Sequence, residues 1–159
     1  MSSYLLLKML HILSAIVVMG TGAGIAFFMF MANRSSNIVA IAVTARHVVL
    51  ADWLFTAPAV VMQLVTGILL MQTLGYSFTS MWFLTVIVLF VFIGVCWLPV
   101  VAIQYRLKAL AECSLATGGG VLDPKFIKMM RLWTALGVPA FLAILGILWL
   151  MVFKPLPLI

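Results

Sequence analysis

His11 and Asp52 are ionisable side chains set inside long apolar stretches, so any chemistry of this chain is sought there first. A titratable group in hydrocarbon is costly and is explained either by a function or by a partner that satisfies it. An imidazole so placed can hydrogen-bond a neighbouring helix or ligate iron, and a carboxylate can pair with a cation or carry a proton. At helical spacing the face of His11 continues through Ser14, Ala15, Val18, Gly22 and Ile25, which are mostly small, and Gly20-x-x-x-Gly24 adds a second small surface. Such a face permits close helix packing with His11 bonded across the interface. It also leaves room for a flat macrocycle, with His11 as an axial ligand of haem b. Both readings are open on residue pattern alone.

A second axial ligand would have to lie at the depth of His11. Met62, Gln63, Thr66, Trp82 and Thr85 do so; Met62 is the candidate ligand and Gln63 the candidate hydrogen-bonding partner. His47 lies roughly 20 Å away along the membrane normal at 1.5 Å per residue, too far to share one iron with His11. Asp52 is the one acid within an apolar run, and Arg46, His47, Gln104, Arg106 and Arg131 approach it from the same membrane side. The favoured expectation for this polar cluster is a structural ion pair that locks helix ends, ahead of proton transfer. The eleven Met residues show no clustered ligand spacing for copper, and no CxxC, hydrolase triad or phosphate loop occurs. Cys96 and Cys113 read as reduced, small side chains.

These residues must be held by membrane helices. Of 159 residues 67% are hydrophobic and 8% charged, against roughly 25% charged in a soluble domain. Too few polar groups remain to face water, so the surface must meet lipid. The net charge of +6 resides in connections between apolar runs, where it meets anionic headgroups and not nucleic acid. Spanning takes about 20 apolar residues, and four stretches qualify. The expectation is an all-α, integral-membrane four-helix bundle forming one domain over 1–159, with helices at about 4–32, 44–71, 81–104 and 125–153. Ile38–Val43 could lengthen the second helix, with a bend near Arg46 or Pro58. The first apolar run is too long for a signal peptide and is kept as a span.

Arg34 and Arg46 flank the first connection, the second (Gln72–Ser80) is uncharged, and the third carries Arg106, Lys108, Glu112, Asp123, Lys125, Lys128 and Arg131. The positive-inside rule therefore puts the first and third connections in the cytoplasm and both termini outside. Thr117-Gly118-Gly119-Gly120 reads as a flexible break, Asp123-Pro124 as an N-cap with proline at the first helical position, and Pro155 and Pro157 as a stop. Trp82, Trp133 and Trp149 fall where an interfacial aromatic belt would sit. The small stripe Ala140, Ala143 and Gly146 suits a second copy of the chain or another membrane partner.

Several segments carry a family likeness. Lys8-Met9-Leu10-His11-Ile12-Leu13-Ser14-Ala15, Gly20-Thr21-Gly22-Ala23-Gly24, Ala51-Asp52-Trp53-Leu54-Phe55-Thr56-Ala57-Pro58, Thr66-Gly67, Cys96-Trp97-Leu98-Pro99-Val100-Val101 and Gly137-Val138-Pro139-Ala140-Phe141 together resemble the bacterial integral membrane family DUF2269 (domain of unknown function 2269). The resemblance covers nearly the whole chain, implies the bacterial inner membrane, and supplies no activity. A more distant similarity, in the Lys-x-Leu-His-Ile opening, Thr-x-Pro-Ala, a later Thr-Gly and the Trp of the third helix, is to haem-binding protoporphyrinogen oxidases and CopD-type membrane proteins. It implies haem binding at His11. Those oxidases carry a Lys shortly after the third-helix Trp, whereas Trp82 is followed by Phe83-Leu84-Thr85-Val86, which argues against the same reaction. The likeness implies a small haem-b protein passing electrons in the membrane. The alternative is a non-catalytic subunit or scaffold packing against partner helices.

Overall fold

The computed structural model describes residues 2–117 and 122–155. The described residues form four long helices with no strand: α1 (Ser2–Arg34), α2 (Ile38–Leu74), α3 (Met81–Ala116) and α4 (Pro124–Phe153). All four are long and apolar enough to cross a membrane. Their outward faces carry Phe27, Phe28, Trp53, Leu54, Val88, Leu98 and Leu142, all exposed, which water would not tolerate as a continuous surface and lipid does.

Each helix start has a local cause. Asn37 Oδ1 accepts from the Ala40 amide at 3.1 Å, Ser80 Oγ from the Phe83 amide at 3.3 Å, and Asp123 Oδ1 from the Lys125 amide at 2.8 Å. The expected Asp123 cap and Pro124 start are thus present. Asp123→Ala should cost about 1 kcal/mol, seen as a lower thermal unfolding midpoint in detergent. Gly75 closes α2 at φ 67°, a left-handed turn that a side chain would strain. The Gly118–Gly120 break and Pro157 lie outside the described residues.

Three expectations need correcting. α2 begins at Ile38 and not at 44, and of the two positions expected for a bend its irregularity, a π-helical turn over Asp52–Thr56, lies beside Pro58 and not at Arg46. Pro58, two residues on, lacks an N–H and its ring crowds the carbonyl one turn back, and a widened turn relieves that conflict. α3 does not stop at Gln104 but continues for twelve more residues. Their charges suggested a connection, yet Leu107, Ala111 and Ser114 repeat at helical spacing and are buried. Finally, Trp82 and Trp133 do not face outward as an aromatic belt would: both are buried, and Trp82 Nε1 donates to the Leu150 carbonyl at 2.8 Å, while Trp149 is exposed.

α1 packs along α2, the first half of α2 packs on α3, and α3 packs on α4. The main core joins Ile25 and Met29 of α1, Ile41, Ala45 and Val48 of α2, Ile103 and Leu107 of α3, and Phe126, Met130 and Trp133 of α4. It occupies the end where the first and third connections lie, the basic end of the bundle. A smaller cluster of Met71, Trp82, Val86 and Leu150 closes the opposite, terminal end.

Candidate functional site

Two buried polar clusters occupy different halves of the bundle. Near the terminal end, close packing of α1 on the second half of α2 sets His11 and Ser14, one turn apart, against Gln63, Thr66 and Gly67. A Cβ on Gly67 would stand 3.3 Å from His11 Cε1, so the glycine is what lets the imidazole approach this closely.

The hydrogens in this cluster follow from its connectivity. Thr66 Oγ1 spends its one proton on the Met62 carbonyl at 2.6 Å, so toward His11 Nδ1, 2.9 Å away, it can only accept. Nδ1 therefore carries the ring proton. Nε2 keeps its lone pair and takes a hydrogen from the Gln63 amide nitrogen at 3.0 Å. Gln63 Oε1 accepts in turn from the Ser14 hydroxyl at 2.5 Å, which also lies 2.9 Å from the His11 carbonyl oxygen. Every group in the relay has a partner, and α1 is clipped to α2 by three side-chain bonds.

The same arrangement bears on the haem expectation. Iron-ligating histidines bind through one nitrogen and donate the other N–H to a fixed acceptor. Thr66 is such an acceptor, but the Nε2 lone pair is occupied by the Gln63 amide, so His11 could hold iron only if Gln63 turned away from it. Met62 does not fit as the second axial ligand: its side chain lies on the exposed face of α2, and only its carbonyl belongs to the cluster.

The second cluster surrounds the π turn. Asp52 and Thr56 are its first and last residues, and Gln104 and Trp97, two turns apart on α3, face the Asp52 carboxyl. Asp52, Thr56 and Gln104 are 4–5% exposed. Asp52 Oδ2, Thr56 Oγ1, Gln104 Oε1 and Trp97 Nε1 are all buried with no partner at hydrogen-bond distance, as is Trp133 Nε1, although Thr56, Gln104 and Trp97 face the carboxyl. Five such atoms occur among the described residues, three of them on Asp52, Thr56 and Gln104, and a buried polar group without a partner calls for an explanation.

The basic residues expected to neutralise Asp52 are elsewhere. Arg46 Nε instead bonds Glu112 Oε1 at 2.5 Å, the one ion pair among the described residues. Arg106 and Arg131 are exposed. The expected ion pair of Asp52 is thus replaced by a pocket whose facing groups, Thr56, Gln104 and Trp97, are uncharged. His47 is also exposed and lines an open groove of about 500 Å³ between α1 and α2, with Thr21, Gly24, Phe28, Thr44 and Phe55. Of the expected set, then, the structure brings His11 to Gln63 and Asp52 to Gln104, and leaves the side chains of Met62, Arg46, His47, Arg106 and Arg131 outside both clusters.

Thr56 and Trp97 were not anticipated. The signal was present: Thr56 follows Asp52 by four residues and Trp97 precedes Gln104 by seven, so each shares a helix face with a residue already singled out.

A family model described as predicted integral membrane protein, DUF2269, matches residues 5–155. No curated protein and no solved structure matches the chain.

Proposed function

From the premise that the chain belongs to DUF2269, a family of integral membrane proteins, we propose that it binds haem b in the bacterial inner membrane and passes electrons there, with His11 as an axial ligand. The observation that carries the reading is the His11 ring itself: Nδ1–H is fixed by Thr66, and Nε2 is the nitrogen with the lone pair, taken up by the Gln63 amide. When bound, haem would supply one-electron transfer. The residues of the chain do the rest. Thr66 holds the imidazole in the ligating tautomer and, through its bond to the Met62 carbonyl, fixes the ring's orientation. Ser14 gives the Gln63 amide an anchor on α1. The excess of basic residues beside the first and third connections supports the orientation with both termini in the periplasm and that end in the cytoplasm.

The test is the absorption spectrum of protein purified from haem-replete cells. A Soret band and a reduced-minus-oxidised α band are expected, both lost in His11→Ala and retained in Met62→Leu. A featureless wild-type spectrum overturns the reading.

One observation favours a second reading, a non-catalytic subunit. The His11 relay is already complete in the chain alone, as a structural clip would be. On that reading His11→Ala lowers stability, and no wild-type preparation has haem bands.

A further inference from the structure

The Asp52 cluster has no part in the haem reading, and its chemistry points elsewhere. A carboxyl that is 5% exposed, at a π turn inside an apolar span, needs a compensating positive charge or must give up its own negative charge. Among the described residues none supplies such a charge at this depth. α1 carries no titratable residue between His11 and Arg34, and α4 none between Arg131 and Lys154. Between Trp82 and Tyr105, α3 carries only the Cys96 thiol. On α2 itself the neighbours are Arg46, committed to Glu112, and His47, which is exposed on the groove. The polar groups that face the carboxyl are Thr56, Gln104 and Trp97, all uncharged.

The unpartnered atoms show what is missing. Three of them, Asp52 Oδ2, Thr56 Oγ1 and Gln104 Oε1, are oxygens on residues more than nine-tenths buried, with no partner at hydrogen-bond distance, and the Trp97 Nε1–H that also faces the carboxyl is unpartnered too. An all-oxygen set with one formal negative charge is the donor chemistry that suits a small, hard, singly charged cation. A proton on the carboxyl meets the same need by turning one acceptor into a donor for the others. The threonines support a specialised site. Thr66, Thr73, Thr85, Thr117 and Thr134 each donate to a carbonyl four residues back, which satisfies a hydroxyl in hydrocarbon. Thr21, Thr44 and Thr56 make no such bond, and of these only Thr56 is buried, its oxygen without a partner beside Asp52.

We propose that Asp52, Thr56 and Gln104 form a membrane-embedded binding site for one monovalent cation, a proton or a sodium ion, seated at the π turn of α2. The site is separate from the His11 cluster, so it stands or falls independently of haem binding. A π turn is a natural seat because it can revert to α geometry and so move Asp52 and Thr56 relative to α3.

The experiment uses the whole protein in detergent, with two readouts. Thermal unfolding is followed in sodium chloride and in choline chloride at equal ionic strength, and the infrared carboxylic-acid C=O band is recorded at neutral pH. Glu112 and Asp123 are the only other acidic side chains, so that band is simple to assign. If the occupant is sodium, sodium raises the unfolding midpoint of the wild type and not of Asp52→Asn. If it is a proton, sodium has no effect and the wild type shows a protonated-carboxyl band that Asp52→Asn lacks. Gln104→Leu guards against misfolding of the first variant. It should weaken apparent sodium affinity by about tenfold or more, or shift the frequency of the carboxyl band. Wild-type protein with neither a sodium-dependent midpoint nor a protonated-carboxyl band overturns the proposal, and so does a Gln104→Leu variant in which both readouts match the wild type.

Discussion

Phe126→Ala is expected to destabilise the bundle by about 3–5 kcal/mol, the range for emptying a fully buried aromatic site. Phe126 is fully buried, two residues into α4, among Ile41, Leu107, Ala111 and Met130. Its position makes the cost large. A side chain buried between helices at the bilayer midplane exchanges lipid contacts for protein contacts, so little hydrophobic free energy is gained there. Phe126 sits between Lys125 and Lys128, at the basic end, where separated helices would meet headgroups and water. Burial there adds the transfer term of about 25 cal/mol per Å² to the packing term. Reversible unfolding in mixed micelles measures the change. A loss under about 1 kcal/mol, well below the range for such a site, would mean that the basic end is not packed as described.

Gly67→Val is expected to cost about 2–6 kcal/mol and to dismantle the His11 cluster. A Cβ alone would come within 3.3 Å of His11 Cε1, and the two further methyls of valine leave the ring no room to give way. Overpacking contributes about 1–3 kcal/mol, and each hydrogen bond lost with the displaced ring, to Thr66 and to Gln63, adds about 0.5–1.5 kcal/mol. The same micelle experiment reports the stability. If haem is bound, its absorption bands should be lost together with the stability. Gly67→Ala is the graded control: one carbon demands a shift of a few tenths of an ångström, so its effect should be smaller and in the same direction. Wild-type behaviour in both variants would show that the imidazole does not lie against α2.

The sequence made some of this legible and hid the rest for identifiable reasons. Apolar length alone placed the four spans, and Asp123-Pro124 marked the start of α4 to within a residue. The far end of α3 was misjudged because Arg106, Lys108 and Glu112 look like a connection when counted by charge; the buried spacing of Leu107, Ala111 and Ser114 carried the opposite signal. Gln63 was recognised as a neighbour of His11 by depth, because depth follows from residue count along a helix. Met62 was an equal candidate on that criterion, and it points outward because rotation about the α2 axis is fixed by packing against α1, which residue count does not reveal.

Composition by itself determined that this chain has four segments able to cross a lipid bilayer. That follows from one physical fact, that a backbone in hydrocarbon must bond to itself and its side chains must be apolar, and each span reports it locally. Tertiary structure alone decided the partners of the two intramembrane ionisable groups. His11 meets Gln63 and Thr66, 52 and 55 residues away, and Asp52 meets Gln104 and Trp97 rather than an arginine. Those pairings depend on how each helix is rotated and how far α2 shifts at its π turn, which only the packing of one helix against another sets.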